Sequence, residues 1–240
     1  ISGNGSSGVV VAGTVIRDCM IEDNDGTGVD MLAGLLEGCR ISGNAGGGAV
    51  AQCDIWSASC PTLKDCVVSG NHGSGVTFGP GGGILELGWM IGCTVSGNHA
   101  TIGGGVWARA DQVDISRSII QGNCADSLGA EVYADHSSAA VSFNCCAIDT
   151  IGVEGPGTIS YNGPQVFIDP LFCSAASCYA TPTTVGDYHL AAGSPCLPES
   201  IPCDSLIGAL GMGCSTTGVP DDRPSLPLTA SLRAFPNPFR

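Results

Sequence analysis

The chain of 240 residues carries 22 acidic against 8 basic side chains, a formal charge of −14 at neutral pH, with only 12% of its residues charged. Coulomb repulsion of that size excludes nucleic acid and anionic membrane surfaces as partners and leaves cations and neutral glycans. No run approaches the roughly 18 apolar residues needed to cross a bilayer, so no membrane insertion is expected.

From the first residue onward the chain repeats a short phrase, an apolar residue followed by two small or polar residues and an asparagine. The copies are Ile1-Ser-Gly-Asn4, Ile21-Glu-Asp-Asn24, Ile41-Ser-Gly-Asn44, Val68-Ser-Gly-Asn71, Val95-Ser-Gly-Asn98 and Ile120-Gln-Gly-Asn123, spaced 20, 20, 27, 27 and 25 residues apart. Such a period is one turn of a solenoid and too short for a domain. Five residues before each asparagine from Asn24 on stand Cys19, Cys39, Cys66, Cys93 and Ser118, and three before stand the Ile and Val of the phrase. The position between them (Met20, Arg40, Val67, Thr94, Ile119) tolerates any residue type. This alternation predicts a β-strand buried on one face. After each asparagine comes a variable stretch, then Gly8-Val9, Gly28-Val29, Gly48-Ala49, Gly75-Val76 and Gly105-Val106, where glycine marks a corner and a second strand begins.

A strand, a corner, a second strand and a return in 20 to 27 residues predict an all-β parallel β-helix of about seven coils over residues 1–165. Stacked Ile, Val and Cys fill its interior, and Asn4, Asn24, Asn44, Asn71, Asn98 and Asn123 form a structural ladder, each amide bonding the next while holding a turn. A degraded seventh coil follows, with Cys146-Ala-Ile148 in the Cys and Ile columns and Ile151 where asparagine belongs. These residues resemble the right-handed parallel β-helix repeats of the pectate-lyase-like superfamily. The Ser-Gly-Asn phrase with a following Gly-Gly-Gly-Val is similar to repeats of polymorphic outer-membrane proteins. The resemblance covers about residues 1–165 and implies a fold shared by lyases, hydrolases, tailspikes and adhesins.

The 14 cysteines divide into two groups. Cys19, Cys39, Cys66, Cys93 and Cys146 lie in the inward column and are expected as free thiols packed like small hydrophobes. Cys53 and Cys60 sit in one insertion and Cys173 and Cys178 in another, which makes Cys53 with Cys60 and Cys173 with Cys178 the expected disulfides. Cys196, Cys203 and Cys214 follow in an irregular tail whose pairing spacing leaves open. An oxidising, extracellular or cell-surface setting follows. Residues 166–214, with Val166-Phe-Ile-Asp-Pro-Leu-Phe172 and Gly186-Asp-Tyr-His-Leu190, resemble the closing module of such β-helices in secreted bacterial proteins, and are expected to cover the last coil. Residues 215–240 read as a Pro/Ser/Thr-rich linker and, at Phe235-Pro-Asn-Pro-Phe239, a motif that resembles the start of a C-terminal sorting or anchoring domain. The opening in mid-repeat reads as a piece of something longer.

Candidate sites come from the columns. The residue after asparagine runs Gly5, Asp25, Ala45, His72, His99, Cys124, and two histidines and a thiol stacked on consecutive coils suit zinc or copper. The alternative is a pair of recurring turn histidines with Cys124 bonded to Cys145. Glu22, Asp23, Asp25 and Asp30 form an acidic turn with a cross-coil calcium site as its sharper reading and solvation as its plainer one. Trp56, Trp89 and Trp107 fall in or beside insertions, where exposed indoles stack on sugars or pack on the sheets. For catalysis the outward candidates are Asp111, Asp114, Asp126, Glu131, Asp135 and His136, but they are scattered rather than columnar, and no paired carboxylate stands out. The expected function is structural or adhesive, an extracellular bacterial surface β-helix that binds glycans or stacks end to end with copies of itself. The alternative is a polysaccharide lyase or glycoside hydrolase working in a groove. No cofactor is expected apart from the calcium and zinc readings.

Overall fold

The computed structural model describes residues 1–53, 60–79, 86–200, 203 and 205–215. Trp56 and nearly all of the 215–240 segment, its Phe235-Pro-Asn-Pro-Phe239 motif included, lie outside the described residues. Three parallel sheets run the length of the coil. The first sheet stacks Val9–Ala12, Val29–Leu32, Ala49–Gln52, Val76–Gly79, Val106–Ala108, Val132–Ala134 and Val153–Glu154. The second stacks Val15–Arg17, Leu35–Glu37, Thr62–Lys64, Leu87–Ile91, Gln112–Ser116, Ala140–Asn144 and Thr158–Asn162. The third stacks Met20–Glu22, Arg40–Ser42, Val67–Ser69, Thr94–Ser96, Ile119–Ile120 and Ala147–Ile148. Every pair in these sheets is parallel, and Ile21, Ile41, Val68, Val95, Ile120 and Ile148 meet in register.

The inner columns are dry. All six of those residues are 0% exposed, and Val29, Val76, Val106 and Val132 of the first sheet join them in one core. Burying one such side chain contributes about 1.5–3 kcal/mol. Two turn devices repeat on every coil. The residue before each inward Cys or Ser has positive φ (Asp18 52°, Gly38 63°, Asp65 50°, Gly92 64°, Arg117 47°, Cys145 53°). The thiol or hydroxyl that follows bonds the carbonyl two residues back, as from Cys66 to Lys64 at 3.2 Å and from Ser118 to Ser116 at 2.8 Å. The inward cysteines are therefore turn caps as well as filler. Their thiols are free, and burial pushes that of Cys146 up to about 11, which leaves it protonated and unreactive.

The second device is the ladder. Asn24, Asn44, Asn71 and Asn98 each donate Nδ2 to the next asparagine's Oδ1 at 2.8–3.0 Å, and that oxygen also accepts the same residue's backbone N–H. The corner glycines face this row at close range: a Cβ on Gly28 would fall 2.7 Å from Asn44 Nδ2 and 2.6 Å from Ile41. Only glycine fits there while the next coil supplies an asparagine.

From Val166 the chain leaves the coil and folds back along it. Val166 brackets Ala147 with two backbone hydrogen bonds, donating to the Cys146 carbonyl and accepting from the Ile148 N–H, which closes the end of the third sheet. The segment then lies on that sheet's outer face, reaching back to the second third-sheet strand, where Arg40 donates to the carbonyl of Thr184 at 2.9 Å. Under it Val67, Thr94, Ile119 and Ala147 are at most 5% exposed, whereas Met20, beyond its reach, is 55% exposed. Ile119 and Ala147 anchor a second core with Val166, Leu190, Cys196, Leu197 and Ile207. The cover is thus mainly lateral. A small sheet of Phe172–Ser174, Asp187–Ala191 and Met212–Cys214 organises it.

Four disulfides are present. Cys53 bonds Cys60. The expected bond between Cys173 and Cys178 does not form: Cys173 bonds Cys214 and Cys178 bonds Cys124. Cys173 sits on a strand separated from that of Cys214 by one neighbour, and the chain beyond it runs away over the coil until Cys178 meets the turn at Cys124. The fourth bond joins Cys145 to Cys203, which also excludes the Cys124 to Cys145 alternative. Cys196 stays free and buried. Four disulfides mark an oxidising, extracellular environment.

Candidate functional site

A groove of about 570 Å³ lies on the outer face of the first sheet. Its floor crosses three coils: Val50 and Gln52 from the third strand, Thr77 from the fourth, and Trp107 and Arg109 from the fifth. These outward positions alternate with the core residues Ala49, Ala51, Val76, Phe78, Val106 and Ala108, so strand periodicity alone places them.

One wall of the groove has a local cause in the sequence. From Asn71 to its corner Gly75 is four residues, but from Asn98 to Gly105 it is seven. The extra residues form the strand His99–Ile102, which pairs with Cys124–Leu128 in the next turn, itself enlarged by one residue more. Thr101 of this added strand lines the groove. Gly103, at φ 63°, packs on Trp107, and Gly129, at φ 66°, packs on Tyr133 one coil on, so the same hinge is used twice.

At the floor Arg109 lies over the Trp107 ring, 4.7 Å from its centroid, and its Nε meets Asp135 at 3.3 Å. The guanidinium is thereby paired with a carboxylate while it lies over the ring. The groove offers a planar stack flanked by the amide of Gln52 and the hydroxyls of Thr77 and Thr101. Among the described residues no carboxylate lines it.

The other sequence candidates lie elsewhere. Trp89 is on the second sheet, in register with Thr62 and Asp114, so it shares no face with Trp107. His72 and His99 do stack on adjacent coils, edge to face at 6.1 Å. Cys124, however, is consumed by its bond to Cys178, which removes the thiol from the expected metal set of His72, His99 and Cys124. His99 instead contacts Asp126 at 2.9 Å and Tyr179 of the cover at 5.6 Å. Asp30 accepts from Ser7 at 2.6 Å, and among the described residues no group of three or more His, Cys, Asp or Glu is placed to hold a metal ion. The scattered acids are each held locally: Asp111 by the Glu86 N–H, Asp114 by Gln112 and Asp135 by Arg109. His136 contacts Ser138 at 2.8 Å and the Arg109 carbonyl at 3.1 Å.

Glu131 is the residue the sequence reading placed wrongly, as an outward acid. It is 4% exposed and ends the ladder: its carboxylate accepts from Asn123 Nδ2 at 2.7 Å and from the Gly122 N–H at 2.8 Å. Burial pushes its carboxyl up to about 7, against the pull of those donors. Its place in the repeat is that of the corner glycine, since Val132 pairs with Val106 as Val106 pairs with Val76. Ile151, which stands where the next asparagine belongs, is 88% exposed. With no asparagine to clash with, the corner accepts a side chain, and that side chain supplies the missing acceptor. The double change, glycine to glutamate and asparagine to isoleucine, is visible in the sequence once the corner column is carried one coil further.

Comparison with curated proteins and with solved structures finds no match. A family model described as a right handed beta helix region matches residues 1–120, which is half of the chain. The stacked columns, the three parallel sheets and that match agree: the chain belongs to the right-handed β-helix family.

Proposed function

We propose that this β-helix is the structural, adhesive part of a secreted surface protein, and that it binds a neutral glycan strand in the groove of the first sheet. The observation that carries the reading is the stacked Trp107 and Arg109 platform on the groove floor, bordered by uncharged hydrogen-bonding groups. Sugars are bound by such a combination, since their C–H faces pack on flat π surfaces while their hydroxyls need polar partners. The pairing of Arg109 with Asp135 and the net charge of −14 argue for neutral rather than acidic polymers.

The test is affinity electrophoresis of the full chain through gels containing neutral or acidic polysaccharides. Retardation by a neutral polymer, lost in Trp107→Ala and kept in Trp89→Ala, is the expected result. Equal mobility of wild type and Trp107→Ala in every gel would remove the groove from consideration, and release of reducing ends from any polymer would turn the reading toward an enzyme.

A further inference from the structure

The asparagine ladder has a direction. Every Oδ1 faces the preceding coil and every Nδ2 faces the following one, so the amide dipoles add and their positive end arrives at Glu131. As at a helix N-terminus, an anion there is favoured by the aligned dipoles. Burial opposes it, because a charge removed from water is costly unless fully compensated. The two effects meet in a turn that carries part of the groove wall: Glu131 closes residues 124–130, and Cys124–Leu128 pairs with the wall strand His99–Ile102. The Glu131 carboxyl ties the start of this turn to its end, accepting the Gly122 and Asn123 N–H groups and the Asn123 amide, beside the backbone bonds that pair the turn with the preceding coil.

We propose that Glu131 makes this enlarged turn a proton-operated latch, tight while the carboxyl is neutral and loosened once it is charged. The titratable neighbours act in the same sense. Asp149 caps the 3-10 turn Thr150–Gly152 that packs on the Glu131 stem and repels its charge. Glu154 takes the Gly129 N–H on the far side of the turn. Asp126 is turned outward to His99, and Cys124 is oxidised. When the turn opens, Glu131 enters water and regains an ordinary carboxyl affinity for its proton. A group that holds its proton more tightly closed than open favours the closed form at low pH, and that advantage is lost as pH rises. With the carboxyl at about 7 closed and 4.5 open, the change develops between those values and is complete above them.

Hydrogen exchange followed by mass spectrometry on the full chain tests this. Protection of the segment from Gly122 to Leu128, referenced to an unstructured peptide of the same sequence at each pH, is expected to fall on the order of 100-fold from pH 4.5 to pH 8. Glu131→Gln, which keeps an acceptor oxygen but never ionises, is expected to show no such fall. Equal wild-type protection at both pH values, or the same fall in Glu131→Gln, overturns the proposal. A carbon-13 carboxyl titration of wild-type Glu131 needs no variant: a midpoint near neutrality supports the latch, and one below pH 5 overturns it.

Discussion

The first and third sheets of this coil are built from the same inner columns, yet their outer faces have opposite fates. Outward on the first sheet stand Val10, Asp30, Val50, Thr77, Trp107, Tyr133 and Glu154, none of them buried. Outward on the third stand Met20, Arg40, Val67, Thr94, Ile119 and Ala147, and the last four vanish beneath the folded-back C-terminal segment. A solenoid coil buries its interior alone, so an outer face is free to be either a binding surface or a second core. Here the open face carries the groove, and the covered face is flanked by turns whose Cys124 and Cys145 fasten the cover through disulfides.

The sharpest way to break this contrast is a charge on each face. Ile119→Asp places an unpaired carboxylate between coil and cover, where the residue is 0% exposed, and is expected to cost about 4 kcal/mol or more. Thr77→Asp on the open face is expected to stay within about 0.5 kcal/mol. Urea midpoints of the two variants decide the matter; similar losses would mean that the first sheet is also covered.

Glycines sharpen the comparison at smaller scale. Gly3, Gly43, Gly70, Gly97 and Gly122 share a left-handed conformation before each asparagine, with Asp23 in the same conformation on the second coil. A Cβ on Gly3 would meet nothing within 4 Å, whereas one on Gly70 would strike the carbonyl of Thr183 in the cover. Thr183 also donates its N–H to the Gly70 carbonyl at 2.8 Å. Gly3→Ala is therefore expected to cost only the left-handed strain, about 1 kcal/mol, and Gly70→Ala about 2–3 kcal/mol. Denaturant midpoints that fall together would show that the cover is not seated on this turn.

The inner half of the fold was legible because stacked coils repeat their requirements. Ile41, Val68 and Val95 had to be alike, since each is the next one's neighbour, and so did Asn44, Asn71 and Asn98. The outer half was legible only in hindsight. The series Met20, Arg40, Val67, Thr94, Ile119 reads as tolerance until a segment more than 40 residues downstream of Ile119 gives it a partner, and then its last three members read as uncharged residues buried beneath the cover. The same distance hid the partners of Cys173 and Cys178, for which the near neighbour was the natural expectation. Glu131 escaped because counting from asparagine stops at Asn123. The groove wall was signalled by the longer stretch between Asn98 and Gly105, but length alone does not say that the extra residues pair with the next coil.

The thiol column offers the finest test of what repeats mean. Cys93 is fully buried, and its Sγ donates to the Ile91 carbonyl at 3.5 Å. One coil on, Ser118 occupies the same place, bonds Ser116 at 2.8 Å and accepts the Cys93 N–H at 3.0 Å. If the column exists to cap the left-handed turn before it, a hydroxyl serves as well as a thiol, and Cys93→Ser is expected to change stability by less than about 1 kcal/mol. Cys93→Ala removes the donor and leaves a small void, for which about 1–1.5 kcal/mol is expected. If the column is filler alone, the order reverses, since alanine keeps the site apolar while serine buries a hydroxyl in it. Urea midpoints for the two variants, measured without reductant so that the four disulfides stay closed, separate a turn cap from a packing residue.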